Sequence, residues 1–178
     1  LGASFLADGA EIPEGGAEGM IVTEGGRFGG YGLFLSKGEF GFGRGKVVFL
    51  YNLLDLKRTT WEGPELKPGK HTIVFDFKSD GKGLGTGGSG VLHVDGPGLG
   101  KGGTGVMYVE GKEMARNSME HTTPITFPED ETFDIGQDTR TPLALIEYRY
   151  DVPFKFTGKI NKLTFNLKPE QDTEADRK

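Results

Sequence analysis

The stretch LKPGKHTIVFDF, residues 66–77, decides the fold. A Pro-Gly turn signal opens it. Ile73, Phe75 and Phe77 then alternate with Thr72, Val74 and Asp76. A period of two sends successive side chains to opposite faces of a strand, so the three large apolar residues share one face. The same spacing recurs on both sides of this stretch. Tyr31, Leu33 and Leu35 form one such set, Phe154 and Phe156 another, and Leu163, Phe165 and Leu167 a third. Val47 to Tyr51 is a denser apolar run, which predicts a strand buried on both faces. Gly, Pro, Asn or Asp bounds each run, and no stretch sustains apolar residues at helical spacing. The pattern predicts an all-β protein, a two-sheet antiparallel β-sandwich formed by residues 1–168 as one domain. At most a short helical turn is expected near Pro142 to Glu147. The polar, charged stretch from Pro169 to Lys178 has no apolar anchor and is expected to be a disordered tail.

Composition agrees. Of 178 residues, 31 are glycine, and 13 Phe, 5 Tyr and 1 Trp carry much of the apolar bulk. Glycine is costly inside helices and aromatics favour strands. The glycines follow no period of three, which excludes collagen. Cysteine is absent, so disulfides, thiolate metal sites and cysteine nucleophiles are excluded. The formal charge is −5 with no basic stripe, which argues against a nucleic-acid partner. Apolar runs are only a few residues long, so no membrane span is expected. No basic start and apolar stretch precede Asp8, so the first residues do not read as a signal peptide. The chain opens at Leu1, which suggests a fragment of a larger protein.

One internal repeat is clear. GLGTGGSGVLHVDG, Gly83 to Gly96, recurs as GLGKGGTGVMYVEG, Gly98 to Gly111, with nine of fourteen positions identical. Each copy reads as a glycine loop, a four-residue strand and a turn. Both match G-x-G-x-x-G, at Gly83, Gly85, Gly88 and at Gly98, Gly100, Gly103. The dinucleotide fingerprint needs a helix after the loop to hold the pyrophosphate at its N-terminus. A strand follows here, so hairpin loops are the better reading. A sandwich built for one copy has one slot. The second copy, which leads directly into GKEMA, is expected to fill it, leaving the first as an edge strand or a solvent-exposed extension.

Several side chains are candidates for chemistry. His71, His93 and His121 are far apart and share no ligand spacing, so surface or edge positions suit them better than metal binding or catalysis. No serine sits in a G-x-S-x-G elbow. Glu129 and Glu131 have the alternate spacing of paired glycosidase carboxylates, but Pro128 and the surrounding sequence read as a loop. Asp134 and Asp138 in the same acidic stretch could ligate calcium, which takes hard oxygen ligands from loops. The competing reading is a solvated loop in which both make turn hydrogen bonds. Trp61, Tyr31 and Tyr108, with Tyr51 and Tyr148, could form a sugar-stacking platform; core or rim packing competes with that.

From GGAEGMIVTEGGRFGGYGLFL (15–35) onward, the chain resembles the C-terminal region of a group of bacterial arylsulfatases. The likeness runs in order through VVFLYNLLDLKRTTWEG (47–63), LKPGKHTIVFDF (66–77), GKGGTGVMYVEGKEMA (100–115), DETFDIGQDTRTP (130–142) and VPFKFTGKINKLTF (152–165). The resemblance implies a concanavalin A-like jelly roll that follows a catalytic domain of alkaline-phosphatase type. The family's C/S-x-P-x-R motif is absent, so no catalytic residue is carried over. Where the family has one glycine-loop copy, this chain has two, and KGEFGFGRGK (37–46) is longer than the usual turn. The implied role is a non-catalytic accessory domain that shapes access to sulfated substrates, with the sulfatase domain of the parent chain as partner. Export of such a parent would make the chain periplasmic or secreted. A free-standing lectin-like module with a glycan ligand is the alternative.

Overall fold

The computed structural model describes residues 2–38, 44–79, 86–94, 115–123 and 131–168. The second glycine copy, with Tyr108, and the polar tail lie outside the described residues, as does Glu129. The described chain forms ten strands. They are β1 (Gly2–Ile12), β2 (Gly19–Gly26), β3 (Gly29–Leu35), β4 (Lys46–Leu53), β5 (Lys57–Glu65), β6 (Gly69–Ser79), β7 (Thr86–Val94), β8 (Ala115–His121), β9 (Phe133–Ile135) and β10 (Lys162–Lys168). Two five-stranded antiparallel sheets result, ordered β10-β1-β6-β7-β8 and β5-β4-β3-β2-β9. The architecture is a two-sheet antiparallel β-sandwich, with no helix among the described residues.

The decisive stretch behaves as its period requires. Ile73 and Phe75 of β6 are buried in the core between the sheets and Phe77 packs against it. From the facing sheet come Leu33 and Leu35 of β3, Phe49 of β4 and Trp61 of β5, in register as Leu33 opposite Phe49 and Phe49 opposite Trp61. Phe49 and Phe75 stack across the sandwich at 3.4 Å between ring centroids, and Phe5 of β1 joins both. Each such ring stabilises the fold by about 1.5–3 kcal/mol through burial alone.

The sheet containing β4 is buried on both faces, as the run from Val47 to Tyr51 predicts. Val47 and Phe49 enter the central core, whereas Val48 and Leu50 face outward with Met20 and Phe34. A second layer covers this outer face, built by Leu143, Ala144, Tyr150 and Phe154. The expected helical turn near 142–147 is instead an irregular stretch of bends and a turn. Lying flat lets Leu143 and Ala144 both reach the sheet. The expected Phe154–Phe156 strand is not one either. Phe154 is buried in the outer layer, but Phe156 packs against the central core. The chain turns over the sheet edge between them, anchored by single bridges from Lys155 to Met20 and from Lys159 to Glu11.

The first glycine copy departs most from expectation. It is β7, paired on one side with β6 and on the other with β8, and so lies inside its sheet. Val91, Leu92 and Val94 are all buried. Its glycines are strand residues from Thr86 onward, not a loop. A Cβ at Gly90 would sit 2.3 Å from Phe75 Cζ and 3.1 Å from Trp61 Cζ2, and one at Gly88 would meet Phe77 at 2.4 Å. Glycine here leaves room for neighbouring rings to lie across the strand. Glycine richness that suggests mobility in the sequence is packing complementarity in the fold.

Candidate functional site

The aromatic candidates separate. Trp61 is 0 % exposed and donates its indole N–H to the Gly90 carbonyl at 2.7 Å. Its faces meet Phe49 and Phe75 edge-on, so no ring surface is left for a sugar. This corrects its place in a stacking platform: the residue is mid-strand on β5, where the inward register carries it into the core. Tyr31 and Tyr51 are brought together as direct cross-strand partners on β3 and β4. Both are half-buried. The Tyr31 ring packs against Phe5 and Phe49, and its hydroxyl bonds the Glu24 carboxylate. Burial raises the Tyr31 hydroxyl pKa well above its usual range, with Glu24 adding to the effect. The Tyr51 hydroxyl accepts the Thr123 N–H at 2.7 Å and bonds its Oγ1 at 2.9 Å. Tyr148 lies on the other face of the same sheet, against Phe34, with its hydroxyl on Glu62. Four of the five candidate aromatics are thus described, and they form no common platform.

The acidic stretch is a buttress. The backbones of Asp138 and Phe154 exchange two hydrogen bonds, 2.9 Å and 3.3 Å, which hold the Asp138 side chain over the outer layer. Asp138 is only 2 % exposed, and its Oδ2 accepts the Tyr150 hydroxyl. That hydroxyl in turn accepts the Leu143 N–H at 2.9 Å. Burial pushes the Asp138 carboxyl up from 3.8 to about 6, overriding the favourable bond from Tyr150; the nearby Asp134 and Glu131 charges push the same way. Asp134 accepts Thr139 Oγ1–H at 2.6 Å. Glu131 accepts Thr141 Oγ1–H, and Thr141 Oγ1 also accepts the Arg27 N–H, tying the loop to the β2–β3 hairpin.

Calcium is the ion the sequence names for Asp134 and Asp138. The ion needs six to eight oxygens converging on one point. Here each carboxylate turns to its own hydroxyl donor, and no three acidic or histidine side chains among the described residues group to hold a metal. Asp134 and Asp138, the residues named for calcium, each accept a hydrogen bond from a hydroxyl within the fold. A surface depression of about 470 Å³ lies elsewhere, lined by Glu14, Glu65, Leu66, Lys67 and Pro68 among others, with none of the sequence candidates on its walls.

Sequence reasoning missed Tyr150 and the outer layer. A signal was present, since Leu143, Ala144, Tyr150 and Phe154 are apolar residues without strand or helix periodicity, the mark of an irregular covering segment. Fold and site together define a two-sheet antiparallel β-sandwich with one sheet covered on both faces. No protein-family model, curated protein or solved structure matches the chain. The arylsulfatase resemblance accordingly rests on the sequence blocks quoted above.

Proposed function

We propose that this chain is a non-catalytic accessory module that packs beside an arylsulfatase-type catalytic domain and shapes access to sulfated substrates. The observation that carries this reading is the use made of the acidic stretch. Asp138, buried in the fold, supports the covering layer through Tyr150, and Glu131 and Asp134 brace their own loop. These three carboxylates, which could have supplied acid–base or metal chemistry, have structural partners. The ordered run of sequence blocks supports the sulfatase partner.

The test is a pair of assays. Purified chain with calcium is expected to leave a chromogenic aryl sulfate intact, and turnover that survives repurification would end the accessory reading. In the parent protein, trimming this module should change kcat/KM for bulky sulfated substrates more than for a small aryl sulfate. Specific binding of the isolated chain on a glycan array would favour the lectin-like alternative.

A further inference from the structure

We propose that the β9/β10 side of the sandwich docks an extended acidic–apolar strand of the partner polypeptide along the edge of β10. The proposal rests on the accessory-module reading and names how and by what the module is held.

Both sides of the sandwich are bridged, the β9/β10 side by the 156–159 segment, whose backbone bonds Gly136, Glu18 and Glu11. At the β5/β8 side the sheets are tied together, by Asn117 Nδ2–H donating to the Thr60 carbonyl at 2.9 Å and by the Lys57–Glu120 ion pair. The β8 edge there presents mostly exposed polar residues, with Met119 alone buried. At the other side, β9 is only three residues long and pairs with β2, whereas β10 runs for seven and pairs with β1. Among the described residues β10 has no second neighbour, so one row of its N–H and C=O groups has no strand partner among them.

This side is also apolar. Ile135 shares a row with Val22 of the central core, and Phe133 meets Phe165 edge-on at 5.6 Å. Yet Phe133 is 49 % exposed, Ile135 52 % and Leu167 73 %. These inward-register residues would be covered if another strand extended the sheet. A free edge together with apolar residues at alternate positions is what strand addition uses: backbone bonds hold the segment and alternate side chains select it.

Charge chooses the occupant. β10 itself carries Lys162 and Lys168 and no acidic residue, in a chain of net charge −5; Asp8 lies opposite Lys162 on the β1 side, and Lys159, just before the strand, pairs with Glu11. Two copies of β10 paired antiparallel about Phe165 would set Lys162 opposite Lys168, a like-charge pairing that disfavours a second copy. A strand with carboxylates opposite the lysines and apolar residues toward Phe133 and Leu167 satisfies both features.

The test uses the whole chain, labelled with ¹⁵N, and a synthetic peptide alternating Glu with Val and Phe. At saturating peptide, every second amide of β10 should exchange at least tenfold more slowly, with β8 unchanged. A peptide with Lys in place of Glu should bind at least tenfold more weakly. Leu167→Glu and Lys162→Glu, both at exposed positions, should each weaken the acidic peptide at least fivefold while leaving the thermal transition in place. Equal binding of the two peptides, protection at β8 in place of β10, or concentration-dependent β10 protection without peptide would each overturn the proposal. A chain inactive on aryl sulfate that ignores the peptide defeats only the docking assignment. A chain that turns over aryl sulfate defeats the module reading itself.

Discussion

Replacing Asp138 by Asn should flatten one part of the pH dependence of stability. Burial raises the carboxyl from 3.8 to about 6 in the folded chain. Between those values the folded state holds a proton that the unfolded state has released. Stability therefore increases as pH falls from 7 through 6 towards 4, and decreases on the way back up. At 1.36 kcal/mol per pH unit, the displacement corresponds to about 3 kcal/mol lost above pH 6. For a chain of this length that is a shift of roughly 6–12 °C in melting temperature. Other carboxylates move oppositely: the Lys46 hydrogen bond holds the Glu62 pKa low, so its small contribution is lost as pH falls. Subtracting the Asp138→Asn curve from the wild-type curve removes such background. The assay is urea unfolding followed by circular dichroism at pH 4, 5, 6 and 7. The difference should grow in favour of the Asn protein across that range. Tyr150→Phe is the companion variant. It removes a donor that favours the ionised carboxylate, so the Asp138 midpoint should move above 6, and loss of the hydroxyl's bonds to Asp138 and to the Leu143 N–H should cost a further ~1–3 kcal/mol. Parallel curves for wild type and Asp138→Asn would refute the buried-carboxyl reasoning.

Three further outcomes follow from the packing. Gly90→Ala forces a methyl to within 2.3 Å of Phe75 and should destabilise by about 1–3 kcal/mol, read as a lower urea midpoint at unchanged slope. Trp61→Phe strips the Gly90 carbonyl of its indole donor and leaves a void, costing about 2–4 kcal/mol by the same measurement; near-neutrality would mean the indole is not core. Deleting Gly83 to Pro97 should leave a cooperative thermal transition. The second copy then supplies Gly105 where Phe75 needs glycine and Met107 where Leu92 sat, a volume-conserving change costing under about 1.5 kcal/mol. Loss of cooperativity would show that the copies are not interchangeable.

The all-β class and the central core were legible from residues 31–35, 47–51 and 72–77, because the period of two follows from strand geometry and holds wherever one face is buried. The doubly buried β4 was legible too, since apolar residues on both faces leave a continuous run. Tertiary structure alone decided the rest. Phe154 and Phe156 keep strand spacing yet enter different cores, because the chain turns over a sheet edge that no local pattern records. The first glycine copy became an inner strand because Phe75, Phe77 and Trp61, all distant from Gly88 and Gly90 in sequence or set on other strands, need the space a missing Cβ leaves. Asp138 reads as an exposed ligand in its acidic run and is a buried buttress in the fold, since its burial depends on Tyr150 and Phe154 returning over the sheet. Local spacing determines which way a side chain points on its own strand; what it meets there depends on segments far along the chain.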